Sequence, residues 1–197
     1  MIRKNQLNCN LIRIKSSTKS IFDSCMESFK PEMETCPLCK RMGNCHIHAY
    51  YNRFIIDFIS GAPVIDQIRI PRIICSCGHT HAILPDPIIP YDSYTLIFML
   101  RVLAEYHLRL ETVNKICEVF MIPATTLYRW IRLYNDYRRE WQGLLTSVEQ
   151  DVLDSLKNLI RKDPFSDFAT FFFQKIGKSF MQSHKNPTHS PRIAAPP

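Results

Sequence analysis

Four cysteines constrain this chain more than any other feature. Cys36 and Cys39 stand just before residues 40–74, and Cys75 and Cys77 just after them. Thiolates that close in sequence suit a tetrahedral Zn²⁺, which takes four N or S donors at about 2.0–2.3 Å. The first pair has the C-x2-C spacing that turns the backbone tightly enough to aim two sulfurs at one ion. The second pair is C-x-C, one residue shorter than usual, so the fourth ligand is the open position. Between the pairs, residues 50–59 and 64–74 are rich in Tyr, Phe, Ile and Val, and Ser60, Gly61, Ala62 and Pro63 are turn formers. These features predict two strands and a β-hairpin, with Ile68, Ile70 and Ile73 on one side and Arg69 and Arg72 leaving it. Pro71 lacks an amide donor and suits an edge or bulge. A two-stranded hairpin is marginal alone in water, and a metal clamping its ends supplies the missing stability.

Each candidate ligand has an ordinary alternative. Cys36 and Cys39 also suit a buried apolar pair or a redox dithiol. Cys45, His46, His48, His79 and His81 crowd the same region, and Cys45 and His48 are the best substitutes should one cysteine not serve. His79 and His81 otherwise read as polar loop residues after the second pair. Cys9, Cys25 and Cys117 are isolated and read as ordinary thiols. Eight cysteines without an N-terminal apolar signal stretch point to a reducing, cytoplasmic setting, where cysteines are metal ligands or free thiols rather than disulfides.

The hydrophobic and charged fractions, 46% and 22%, are those of a globular chain. No run approaches the roughly 18 uninterrupted apolar residues of a spanning helix. A net charge of +7 suits a polyanionic partner, although basic proteins without one are common.

The expected organisation runs from a basic arm (1–33) through a zinc-ribbon domain (34–84) to a helix-turn-helix domain (91–142). Two C-terminal helices (143–182) and a Pro-rich disordered tail (183–197) follow. The fold class is α+β: a small zinc-ribbon hairpin, then a mostly helical bundle. In the arm, residues 1–20 hold five cations and no acidic residue, which fits a phosphate-touching arm or a solvated terminus, with a strand at 10–14. Residues 21–35 read as a short helix or loop. Pro85, Pro87 and Pro90 suggest a stiff connector.

Helical pattern begins at Tyr94, with Asp92 or Ser93 as N-cap, and the stretch that follows is apolar nearly all round. A second helix is expected at Thr112–Phe120, and a third opens at Pro123, where a missing N–H is harmless. Two helices joined by so short a turn make a helix-turn-helix. On the third helix Leu127, Trp130 or Ile131, and Tyr134 are spaced for the core. Thr125, Thr126, Tyr128, Arg129 and Arg132 are the DNA-contacting candidates in the N-terminal half, the part of a recognition helix that enters the major groove. Arg138 and Arg139 extend the positive stripe. The alternative is a bundle whose basic face is merely solvated. Further on, residues 144–161 and 165–181 read as an amphipathic helix and a Phe-dense helix interrupted near Gly177. They suit packing on each other, self-association or a protein partner.

No catalytic motif is present: no Walker loop, G-x-S-x-G or H-E-x-x-H, and no motif pairs the 18 acidic residues. His46 and His48 with Asp57 match no hydrolytic arrangement. A four-thiolate zinc site is closed and therefore structural. The chain reads as non-enzymatic.

The motifs CPLC, NCHIHAYYNRFIID, CSCGHTHAILPDPIIPY and TTLYRWIRLY resemble an uncharacterised bacterial family of unknown function, with a zinc-binding part followed by a helix-turn-helix. The same order is similar to the N-terminal DNA-binding segment of insertion-sequence transposases, over roughly residues 34–142. That resemblance implies one structural zinc on Cys36, Cys39, Cys75 and Cys77, and a recognition helix holding Thr125 to Arg132. The C-x-C pair departs from the pattern. The 55 residues after 142 are too few for a DDE catalytic domain. What the resemblance implies is a zinc-dependent binder of double-stranded DNA without transposition chemistry, a regulator or mobile-element accessory protein at the nucleoid. A zinc-ribbon protein–protein interaction module is the alternative.

Overall fold

Alternating β-branched and aromatic residues drive the chain between the cysteine pairs into one long hairpin. The computed structural model describes residues 2–5, 17–144, 172–173 and 176–183. In chain order these form β1 (Ile2–Asn5), α1 (Thr18–Glu27), β2 (Cys45–Ile59), β3 (Ala62–Cys75), β4 (Thr80–Pro85), α2 (Leu96–His107), α3 (Val113–Phe120) and α4 (Ala124–Leu144). The architecture is α+β, a four-stranded sheet ordered β1-β4-β3-β2 with helices packed on it. No helix among the described residues is long and apolar enough to cross a membrane.

The hairpin is longer than the composition alone predicts. β2 and β3 pair antiparallel from Cys45↔Cys75 to Ile59↔Ala62, so the strands reach the cysteines themselves. One irregularity, between Ile47 and Ala49, puts an extra residue into β2. Opposed residues share a face and alternate residues change face. On one face Ile55, Ile68 and Ile70 meet Ala82, Leu84 and Phe22 of α1. On the other, Ile73 joins Cys36, Cys45, Cys75 and Ile83. Ile73 therefore does not share a side with Ile68 and Ile70, because five residues of strand alternation separate it from Ile68. Pro71 lies in an interior strand rather than at an edge. Its position is tolerable because it adjoins the β2 irregularity and falls beyond the β3–β4 ladder, which spans Arg72–Ile74.

Two expectations about segments before and after the hairpin need correction. The basic terminus is not simply a solvated arm: Ile2–Asn5 pair parallel with Ala82–Pro85 of β4. The expected strand at 10–14 lies outside the described residues. The proline-rich stretch is not simply a stiff connector either, since Thr80–Pro85 are a strand and residues 81–90 are all buried. Here the prolines terminate a strand and shape a buried turn. Arg53 of β2 holds that turn, donating to the carbonyl oxygens of Ile89 and Asp92.

Sheet and helices share one apolar cluster. Phe58, at the end of β2, lies 4.5 Å from the ring of Phe120 in α3 and 6.1 Å from Phe98 in α2. The backbone of Ile56 bridges to Tyr94, accepting from Thr95 N–H at 3.0 Å and donating to the Ser93 carbonyl at 2.8 Å. Thr95, not Asp92 or Ser93, caps α2, its hydroxyl accepting from Phe98 N–H. Asp92 instead accepts from Tyr94 N–H and so shapes the approach. Thr112 caps α3 as expected. α4 opens one residue after Pro123, whose carbonyl accepts its first hydrogen bonds.

Asp57 joins three elements. Its buried carboxylate accepts from Thr18 N–H at the start of α1 (2.7 Å), Phe58 N–H (2.9 Å) and the Thr95 hydroxyl (3.3 Å). It satisfies the first amide of α1, which has no partner within the helix, and opposes the positive end of the α1 dipole. Asp57→Ala is expected to cost about 1–3 kcal/mol, because those donors lose their acceptor in the interior. A urea melt reads this as a lower midpoint, and an unchanged midpoint would refute the role.

Of the expected C-terminal helices, residues 145–161 and most of 165–181 lie outside the described residues, as does the tail beyond 183, while residue 144 is the last of α4. Phe172 and Phe180 are described, buried against Tyr137 at 5.1 and 5.7 Å. Gly177 takes φ +74°, where the expected interruption falls.

Candidate metal centre and exposed helix face

The two cysteine pairs fold into turns of the same design and different length. In the first, the Cys36 carbonyl accepts from Lys40 N–H at 2.9 Å, and Cys36 N–H donates to the Arg41 carbonyl at 2.9 Å. In the second, the Cys75 carbonyl accepts from Gly78 N–H at 2.8 Å, and Cys75 N–H donates to the His79 carbonyl at 2.9 Å. The residue after each second cysteine is left-handed, Lys40 at φ 61° and Gly78 at φ 81°. The C-x-C turn is thus a knuckle shortened by one residue, and glycine takes its strained position without cost. Ser76 N–H, donating to the Asn44 carbonyl at 2.9 Å, ties it back to the start of the hairpin.

These turns bring the four sulfurs together across some 40 residues of sequence. All four lie within 4.8 Å of one another. Cys36 Sγ is 3.6 Å from Cys77 Sγ, and Cys39 Sγ is 3.6 Å from Cys75 Sγ. A regular tetrahedron with metal–sulfur bonds of 2.3 Å has sulfur–sulfur edges of about 3.8 Å. The two short contacts already match that edge. The cluster therefore fits a four-coordinate ion.

Local electrostatics favour thiolates unevenly. The Arg41 backbone amide donates to the Cys39 sulfur and holds its thiol down at about 7. The His79 amide acts the same way on Cys77. There, however, burial and the other three sulfurs prevail and push the thiol up to about 11. Four adjacent thiols cannot all ionise without a cation, because each new negative charge repels the next. A divalent ion removes that repulsion, so the charge pattern and the geometry agree.

The substitute ligands are placed elsewhere. Cys45 is buried beside Cys75, its register partner, where it packs in the apolar layer under the centre. Burial pushes its thiol pKa up. His48 and His46 are exposed on β2. His81 is not a loop residue: it lies in β4, buried, 5.8 Å from the half-buried His79 ring. The amides of Arg41 and His79 are functional groups that residue-type reasoning misses. The residues following each pair, and above all Gly78, were their signal.

The second candidate surface is α4. Leu127, Trp130, Tyr134 and Tyr137 are buried, as the spacing predicts for the first three. Thr125, Tyr128, Arg129 and Arg132 are exposed and fall within about 100° of the helix circumference, opposite that stripe. Thr126 sits at the border, half-buried. α3 precedes this helix through Met121, Ile122 and Pro123, with Met121 in the left-handed conformation that ends α3. Side chains of Arg138 and Arg139 lie outside the described residues. Trp130 holds α4 against the hairpin through Tyr94, its ring 4.9 Å away and nearly perpendicular. The Arg129 charge is close enough to oppose the burial that raises the Tyr94 hydroxyl's pKa.

No curated protein and no solved structure matches this chain. Residues 36–130, from the first cysteine of the centre to the tryptophan that seats α4, match DUF6431, a domain of unknown function.

Proposed function

We propose that this chain is a non-enzymatic, zinc-dependent DNA-binding protein, related to the DNA-binding segment of insertion-sequence transposases and acting as a regulator or accessory protein. The observation that carries the reading is the exposed Thr125–Tyr128–Arg129–Arg132 face of α4, opposite a buried stripe and preceded by α3 and a three-residue turn. A helix-turn-helix whose second helix reads the major groove would present such a face, which is what supports the reading. Arginine can hold guanine through two hydrogen bonds or a phosphate through one, and threonine can contact either. Zinc is the ion of choice for four thiolates, and here its part is structural: Cys36, Cys39, Cys75 and Cys77 would close its coordination shell. The ion would fasten residues 36–42 to the hairpin end, as in a zinc ribbon.

The test is fluorescence anisotropy on a duplex selected from a random pool. Affinity is expected to fall linearly with salt on logarithmic axes, because phosphate contacts release counterions. Arg129→Ala and Arg132→Ala are each expected to weaken binding by about 1–3 kcal/mol if they read bases. Wild-type affinity in both variants would sink the reading of α4. One observation favours the second reading, a protein-docking ribbon: Leu38 and Met42, beside the first knuckle, are each more than 60% exposed. Failure to select any duplex at low salt would turn the reading that way.

A further inference from the structure

The hairpin face that carries the cysteine centre is covered at both ends, by the cysteine turns at one and by the packing of Phe58 on α2 and α3 at the other, and is open between them. Through the extra residue in β2, Tyr50, Asn52 and Phe54 share that face with Cys45 and Ile47. Across from them stand the buried Pro71, then Arg69 and Gln67, and Ile65 stands across from Ile56. Tyr50 is 48% exposed and Phe54 59%, and Asn52, Gln67 and Arg69 are exposed with them. The Arg69 guanidinium lies 4.3 Å over the Tyr50 ring. The exposed residues of the strip are one cation, two amides, two aromatic rings and Ile65, with no carboxylate among them.

That composition selects its occupant. A nucleobase offers a π-face to a ring and polar edges to amide and guanidinium groups, and its phosphate answers the arginine. In a duplex the base faces are already stacked and the rings would meet nothing. An unpaired strand presents both. The end of the strip is tied to the buried stripe of α4. Ile56, two residues beyond Phe54 on the same face, bridges to Tyr94, which packs on Trp130. A chain of net charge +7 adds a general attraction for a polyanion.

We propose that this strip binds single-stranded DNA, bases stacking on Phe54 and Tyr50 while Asn52, Gln67 and Arg69 meet their edges and phosphates. The choice of DNA over RNA rests on the reading of α4 as a duplex-DNA reader. The protein would then hold a duplex on α4 and an unpaired strand on the hairpin.

The experiment titrates the full metal-loaded chain against a labelled single strand of about 15 nucleotides, the same strand as RNA, and the selected duplex. Phe54→Ser and Tyr50→Ser are each expected to weaken single-strand binding about tenfold and to leave duplex affinity within about twofold. Phe54→Trp is expected to restore or strengthen it, which separates stacking from a folding defect. Arg129→Ala and Arg132→Ala should show the reverse pattern. Single-strand binding that survives both serine variants would overturn the proposal, as would its absence in the wild type or tighter binding of RNA. A wild type that binds the single strand but no duplex would support the strip and remove the reading of α4.

Discussion

A Cys75→Ser variant is expected to lose stoichiometric metal and, with it, the stability of the sheet end at which Cys45 opposes Cys75. Cys75 is buried, stands 3.6 Å from Cys39, and accepts a hydrogen bond from the Cys77 amide. Serine keeps the shape and removes the soft thiolate that zinc requires. Structural zinc sites contribute on the order of 10 kcal/mol of apparent binding energy in small domains, and that energy is folding energy. The variant and a chelator-treated wild type should therefore melt together, well below the metal-loaded protein. Cys45→Ser should retain one ion per chain and lose only packing. Metal content by mass spectrometry beside thermal unfolding decides the matter. Full zinc occupancy in Cys75→Ser, or no metal in the wild type, would remove the centre from the account.

Trp130→Ala should be comparably damaging for a different reason. Trp130 is fully buried and meets Tyr94 and Phe98 edge-on at 4.9 and 6.0 Å. Truncating a buried tryptophan costs about 3–5 kcal/mol, since the lost contacts leave a cavity that neighbours fill only in part. Against a total stability of about 5–15 kcal/mol, that is a large share. Tyr94 also links α4 to β2, so the loss should loosen the helix from the hairpin as well as from its own bundle. Urea denaturation followed by circular dichroism measures the cost. Trp130→Phe should recover much of it, and an alanine variant within 1 kcal/mol of wild type would mean that this contact is not central.

The legible parts of the chain were those set by local chemistry. Caps, a proline and the spacing Leu127–Trp130–Tyr134 announced α3 and α4, because these signals act within one or two helical turns. The four cysteines were legible by pair spacing, and the short C-x-C became intelligible once Gly78 was seen to take a left-handed turn. The failures were non-local. Nothing near Ile2–Asn5 indicates a parallel partner some 80 residues away in β4. Pro85, Pro87 and Pro90 look like a linker until the sheet and α2 bury them. The placement of Ile73 depended on following the alternation through Pro71, and composition does not record that.

The one-residue irregularity beside His48 sets the phase of the whole outer strand. With it, Cys45 and Phe54 look the same way, and the cysteine end and the aromatic strip lie on one face. Delete that single residue and the side chains beyond it change sides: Tyr50 and Phe54 turn toward α1, while Asp57 leaves the Thr18 amide and the Thr95 hydroxyl that it holds. A frame so dependent on one inserted position should tolerate substitution at His48 far better than a change in the length of β2.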